Sequence, residues 1–224
     1  MKRSEVNAAL AWAEALLEKN NIRLPQMAYW TKAEYECHAG ELDTVKKVML
    51  GWDITDFGTN DFASVGAVLY TVRNGALEPA GTGVPYCEKY IIMKEGQRLP
   101  KHYHVFKTED IINRAGGVLK VLLWNTDENG KELDTDVHVF CDGIEKVYKA
   151  GEPICVTKGN SITLTPHMAH IFGPLEGSGA VIAGEVSKVN DDRTDNYFLE
   201  PTARFADIIE DEPVLRPLCN EISF

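Results

Sequence analysis

The sequence predicts a mainly β protein, an antiparallel sandwich or barrel, with a helical arm in front of it. Two observations carry that expectation. After Gly51 the chain is a succession of short runs rich in β-branched and aromatic residues, GAVLYTV, KYIIM, VLKVLLW, DVHVF, PICV, SITLT and GAVIAGEVS, parted by Gly, Asn, Asp and Pro. No helical segment between them is long enough for a crossover, so the strands are expected to pair antiparallel. Before Gly51 the period is helical instead.

Val6, Ala9, Leu10, Ala13, Leu16 and Leu17 recur at three-and-four spacing after Ser4, which predicts an amphipathic helix over 5–19 ending at Asn20 and Asn21. Thr31-Lys32-Ala33-Glu34 has the form of a capping box and opens a second short helix. A third, 42–50, stops at Gly51. Residues 1–50 are therefore expected to form the arm and 51–224 the β domain, with the acidic tail ADIIEDEPVLRPLCNEISF wrapping its surface. There is no internal repeat, linker or low-complexity tract.

With 224 residues, 44% of them hydrophobic, one covered core is the simplest arrangement. A formal charge of -11 leaves no basic stripe for phosphate backbones or anionic lipid, which argues against nucleic-acid and membrane partners and for a small neutral or cationic ligand. Glu5, Glu14 and Glu18 interrupt any signal-peptide core in MKRSEVNAALAWAEALLEKNN, so a cytoplasmic location is expected. The five cysteines are scattered, with no C-x-x-C pair, and are expected to be reduced thiols rather than a disulfide frame or zinc cluster.

The stretch GQRLPKHYHVFKTEDIINRAGG holds the densest chemistry. His102 and His104 are two apart, and in a strand such residues share a face, so both imidazoles can reach one ion. Glu109 follows at a distance suited to a turn and a returning strand. A fourth ligand is found in NSITLTPHMAHIFG, where a strand, Pro166 and a tight turn place His170 at the start of the next strand. An H-x-H pair alone is more often the mark of a solvated face than of a ligand pair; the combination is far more specific. His38 and His138 lack ligand spacing and read as structural or surface residues.

The order Gly96, His102, His104, Glu109, Gly116 resembles the first motif of the cupin superfamily at every spaced position. Gly159 through Pro166 to His170 resembles the second more loosely: His167 follows the proline where a glycine is usual, which leaves His167 as a rival to the favoured His170. The resemblance implies a cupin antiparallel β-barrel, or jelly roll. Three neutral imidazoles and one carboxylate suit Mn2+, Co2+, Fe2+, Ni2+ or Zn2+ and are poor ligands for Ca2+ or Mg2+. Across nearly the whole chain, MKRSEVN, KKVMLGWDITDFGTNDF, YCEKYIIM, HVFKTEDIINRAGG, GEVSKVNDDRTDN and EDEPVLRPLCNE together resemble the bacterial D-lyxose isomerase family. That resemblance implies a cytoplasmic homodimer using Mn2+ to interconvert a monosaccharide pair, D-lyxose and D-xylulose, and often D-mannose and D-fructose.

Such chemistry needs a base to carry a proton between two carbons. Glu185, alone in the apolar GAVIAGEVS, is either paired structurally or is that base with its pKa raised by burial; its place after the His170 strand favours the second. Lys89 in YCEKYIIM either snorkels to the rim or donates to a sugar oxygen. Asp191, Asp192 and Arg193 either bind hydroxyls or make a turn, and Glu200, before Pro201, is a weaker rival base. Cupins host many reactions. The competing readings are an Fe(II) dioxygenase, which would take up oxygen, and a non-catalytic sugar-binding cupin, which would bind without turnover.

Overall fold

The chain is described by a computed structural model over residues 1–79, 81–191, 194–203 and 206–222. Helix α1 (Arg3–Lys19) begins two residues before the expected start. The reason is that Ser4 is not its cap: the Ser4 amide and hydroxyl both donate to Asp211, at 2.9 and 2.8 Å, while the Lys2 amide donates to Glu5 Oε2 at 2.7 Å. Helix α2 (Lys32–Cys37) opens on the expected capping box, with the Thr31 amide donating to Glu34 Oε2 at 2.7 Å and the Glu34 amide donating to Thr31 Oγ1. Helix α3 (Asp43–Lys47) is shorter than expected, because Met49 turns the backbone to φ 56°.

Fourteen strands follow among the described residues. They are β1 (Gly51–Thr55), β2 (Ala67–Gly75), β3 (Gly83–Met93), β4 (His102–Tyr103), β5 (Glu109–Gly116), β6 (Leu119–Thr126), β7 (Glu132–Leu133), β8 (Val137–Cys141), β9 (Ile144–Tyr148), β10 (Ile154–Val156), β11 (Ser161–Leu164), β12 (Met168–Pro174), β13 (Val181–Lys188) and β14 (Tyr197–Phe198). One sheet runs β1-β2-β3-β13-β5-β11-β8-β9 and the other β10-β6-β12-β4-β14, with β7 on the edge of β6. The strand pairings are antiparallel. Between the sheets, Met93, Ile111, Leu119, Val121, Ile162 and Phe172 form the main core of the cupin-type barrel.

A second apolar layer lies outside the larger sheet. There α1 lays Val6, Leu10, Ala13 and Leu17 against Trp52, Val68, Tyr70, Ile92 and Ile182. Each of these side chains is buried, and burying one aliphatic side chain of this size contributes roughly 1.5–3 kcal/mol. The C-terminal segment holds the helix in place. Arg3, 1% exposed, is ion-paired with Glu210 and Glu221, and the Cys219 amide donates to Trp52 O at 2.7 Å. No disulfide links the cysteines. No helix among the described residues is long and apolar enough to cross a membrane.

Candidate active site

The register of the two sheets assembles the site. His102 on β4 stands opposite His170 on β12, and Glu185 on β13 stands opposite Lys89 on β3. Glu109, the first residue of β5, stands opposite Ser187, two residues along β13 from Glu185. Both ends of the first motif lie in the left-handed region that favours glycine: Gly96 and Gly116 each have φ 90°, and a Cβ on Gly116 would sit 2.1 Å from Ala180 O. In the second motif His167 takes the missing glycine's role, at φ 62°. The turn is thus made without glycine, and β12 still delivers His170 into the barrel.

His102, His104 and His170 are buried and close enough to hold one ion between them, each through one ring nitrogen. Backbone carbonyls set their tautomers. Nδ1 of His102 donates to Pro100 O at 2.9 Å, Nδ1 of His104 to Asp195 O at 2.6 Å and Nδ1 of His170 to Met168 O at 3.0 Å. A carbonyl oxygen can only accept, so Nδ1 carries the proton and each Nε2 of a neutral ring presents a lone pair. The Nε2 atoms of His102 and His170 face each other at 3.1 Å, and Nε2 of His104 is buried without a hydrogen-bond partner. Glu109 Oε1 lies 3.3 Å from His170 Nε2 and 3.5 Å from His104 Nε2. Four acceptors thus converge with no donor among them, an arrangement that one cation satisfies and that would otherwise be repulsive. The N/O donor set fits a borderline divalent metal. His167 stands outside this group, beside the Tyr103 ring at 6.0 Å.

Next to the imidazoles runs a chain of buried charges. Lys107 Nζ donates to Glu109 Oε2 at 2.8 Å, to Glu185 Oε1 at 3.0 Å and to Asn190 Oδ1 at 3.0 Å. Lys89 Nζ meets Glu185 Oε2 at 3.3 Å, and the Ser187 hydroxyl donates to Oε1 at 3.1 Å. Lys89 therefore does not snorkel to the rim: it is 7% exposed and points at Glu185. Lys107 escapes the sequence reading altogether, although a lysine enclosed between motif ligands in HYHVFKTED was the available signal. A cavity reaches this row of charges, lined by Asp53, Thr71, Phe57, Phe172, Asn196 and Phe198 besides the site residues themselves.

The electrostatics correct one expectation. Burial raises the Glu185 pKa, as anticipated, but Lys107 and Lys89 outweigh it and hold the carboxyl below its ordinary value. Burial likewise opposes the charged form of Glu109, and Lys107 outweighs it and holds that carboxyl well below the usual range. Both are anions at neutral pH. Burial, then the neighbouring His170 and His104, pushes His102 well below 6.5, and burial pushes His170 down to about 4. An unfolded chain takes up a proton on His170 near pH 6.5 that the folded chain refuses until about pH 4, so stability falls as pH falls through that window. Metal-stripped protein is expected to lose about 2 kcal/mol from His170 alone between roughly pH 7 and 5, read from urea unfolding. Flat stability across that interval would contradict neutral, buried imidazoles.

Of the remaining candidates, Glu200 lies away from the cavity. It forms a bidentate pair with Arg98 at 3.0 and 2.9 Å, and it is Arg98, against the opposing effect of burial, that lowers its pKa. Asp191 accepts from the Thr194 hydroxyl and amide, as a turn residue does. Asp192 and Arg193 lie outside the described residues. His138 pairs with Glu145 at the surface and His38 stacks on Trp30.

With the geometry in hand, comparison with known proteins decides the family. The family model described as D-lyxose isomerase matches residues 1–222. The chain belongs to the D-lyxose isomerase family. Two relatives agree, the D-lyxose/D-mannose isomerases of Escherichia coli O157:H7 and Serratia proteamaculans. Each is 41% identical over 226 aligned positions, covering 99% of this chain and 98% and 97% of theirs. Among solved structures, a point mutant of the L-ribose isomerase of Acinetobacter sp. DL28 with L-ribose superposes with a TM-score of 0.64 at 15% identity over 93% of this chain and 98% of that one. The Cellulomonas parahominis L-ribose isomerase gives 0.60 at 16% over 93% and 98%. At such identity these two establish the fold alone. Membership of the D-lyxose isomerase family makes the protein an enzyme, an isomerase of the aldose–ketose class.

Proposed function

We propose that the enzyme interconverts D-lyxose with D-xylulose and D-mannose with D-fructose, using a divalent metal held by His102, His104, Glu109 and His170. Mn2+ is the first choice, with Co2+, Fe2+, Ni2+ and Zn2+ compatible with the donors. The observation that carries this reading is the converging set of buried acceptors set directly against the Lys107–Glu185–Lys89 row, in a chain whose relatives at 41% identity are named D-lyxose/D-mannose isomerases. A homodimer, a cytoplasmic location and a division of the chain at residue 50 belong to the same proposal.

When bound, the metal supplies Lewis acidity to the oxygens of the substrate's reacting carbons. The chain's own residues do the rest. Glu185, kept ionised by two ammonium groups, accepts the proton from C2 of the aldose; a hydroxyl proton then passes from O2 to O1, and Glu185 returns its proton to C1, leaving the ketose. Protonation makes Glu185 neutral, so Lys107 and Lys89 lose the carboxylate they share and their positive charge is left less balanced. That surplus faces the substrate oxygen at the moment it becomes negative, in a buried setting where charges act strongly. Asn190 fixes the Lys107 ammonium, and Phe57, Phe172 and Phe198 keep the cavity wall apolar and water sparse.

Protein loaded separately with each of the five metals should form D-xylulose from D-lyxose and D-fructose from D-mannose, measured by product chromatography. No conversion with any metal, in folded and loaded protein, would overturn the proposal. Oxygen uptake by the iron-loaded form would then favour a dioxygenase, and sugar binding without turnover a sugar-binding cupin.

A further inference from the structure

The ligand loop between His104 and Glu109 is tied from outside, by the Lys188 amide to Thr108 O at 3.2 Å, by the Lys188 ammonium to Phe106 O at 3.3 Å and by Asp195. Val105 and Phe106 are exposed, at 43% and 48%, and the segment lies between β4 and β5 without ladder partners. Its three successive amides nevertheless all have one acceptor. The Asp195 carboxylate, 6% exposed, takes the Val105 amide at 2.8 Å and the Phe106 amide at 2.9 Å on Oδ1, and the Lys107 amide at 2.8 Å on Oδ2. The Asp195 carbonyl takes His104 Nδ1 at 2.6 Å. Three consecutive amides closing on a carboxylate form an anion nest, and each bond is charge-assisted.

We propose that Asp195 is a positioning residue, which through this loop sets both the metal-facing nitrogen of His104 and the ammonium of Lys107. The inference rests on the metal-centre reading above. Its logic is that one residue spans the two halves of the site. His104 leads towards the imidazole group, and Lys107, at the loop's other end, bridges Glu109 and Glu185. Replacing Asp195 with alanine leaves three amides without their acceptor and frees the loop to rotate at both ends. Replacing it with asparagine is more selective. The amide oxygen keeps the two-bond position facing Val105 and Phe106, which leaves an NH2 group against the Lys107 N–H, two donors facing one another. Lys107 is then the group displaced.

The test is a chelator-competition titration with Mn2+ on the full-length wild type, Asp195→Ala and Asp195→Asn, together with kcat and KM for D-lyxose. Asp195→Ala should bind Mn2+ roughly 10–100-fold more weakly, the usual cost of losing an outer-shell partner, with kcat reduced as well. Asp195→Asn should hold Mn2+ within a few-fold of wild type while kcat drops about tenfold or more and KM moves little. A purely structural role would lower the unfolding temperature of both variants and leave affinity and kcat where they were. That result, or wild-type affinity and kcat in both, overturns the proposal. If Asp195→Ala does not fold, the asparagine variant decides alone through its kcat. A wild type that binds no Mn2+ overturns the metal-centre reading itself, which separates the two failures.

Discussion

Alanine at His102 or His104 is expected to remove most of the bound metal, and isomerase activity with it. Each ring contributes one of four converging acceptors, and deleting a donor that touches the ion must cost more than the roughly 10–100-fold lost with an outer-shell partner. Elemental analysis after gel filtration gives the readout in ions per chain: about one for the wild type and well below one for either variant. Full stoichiometry in either variant would defeat the assignment. His167 offers the internal control. Its Nδ1 is buried without a hydrogen-bond partner, but it sits at the left-handed turn outside the cluster, so His167→Ala should keep its metal. Metal lost from His167→Ala and kept by His170→Ala would exchange their roles.

The second large effect is expected at Glu185. Glu185→Gln keeps the size and an oxygen for one of the two lysines, yet cannot accept a proton, and removing a general base commonly costs about 10²–10⁴ in rate. Most of kcat should therefore disappear while metal content and fold persist. Lys89→Ala is expected to lower kcat with metal still bound, because Lys89 is paired with Glu185, the proposed base, at 3.3 Å. Wild-type turnover in Glu185→Gln would move the base elsewhere. Glu200 is poorly placed to inherit the role, since Arg98 and the Lys101 amide already engage its carboxylate.

The features legible in the sequence are those whose physics is local. α1 follows from the three-and-four spacing of its apolar residues, and α2 from a capping box contained in four consecutive residues. β5 and β13 display their alternation or their apolar run directly, and the first motif has a spacing that survives without any knowledge of the fold. β9 shows the opposite case. As the outermost strand of its sheet it buries little, so IEKVY carries no two-residue pattern to read. Lys107 sits in an irregular loop, and its importance comes from meeting Glu185 across 78 residues of sequence. Asp195 reaches back 88 to 90 residues to the loop amides, and no spacing rule links those positions. The direction of the Glu185 shift is not legible in the sequence for the same reason. Burial can be guessed from GAVIAGEVS, whereas the two ammonium groups that overrule it come from β3 and from the ligand loop.

The central claim, a metal-dependent proton transfer between C1 and C2 at this one site, is tested most directly by stripping the protein of metal and titrating Mn2+ back while following D-lyxose. The account predicts no D-xylulose from stripped, folded protein, and activity that rises linearly and levels off at one Mn2+ per chain, with the same titration on His104→Ala staying flat. Full turnover of D-lyxose by the stripped protein would contradict it.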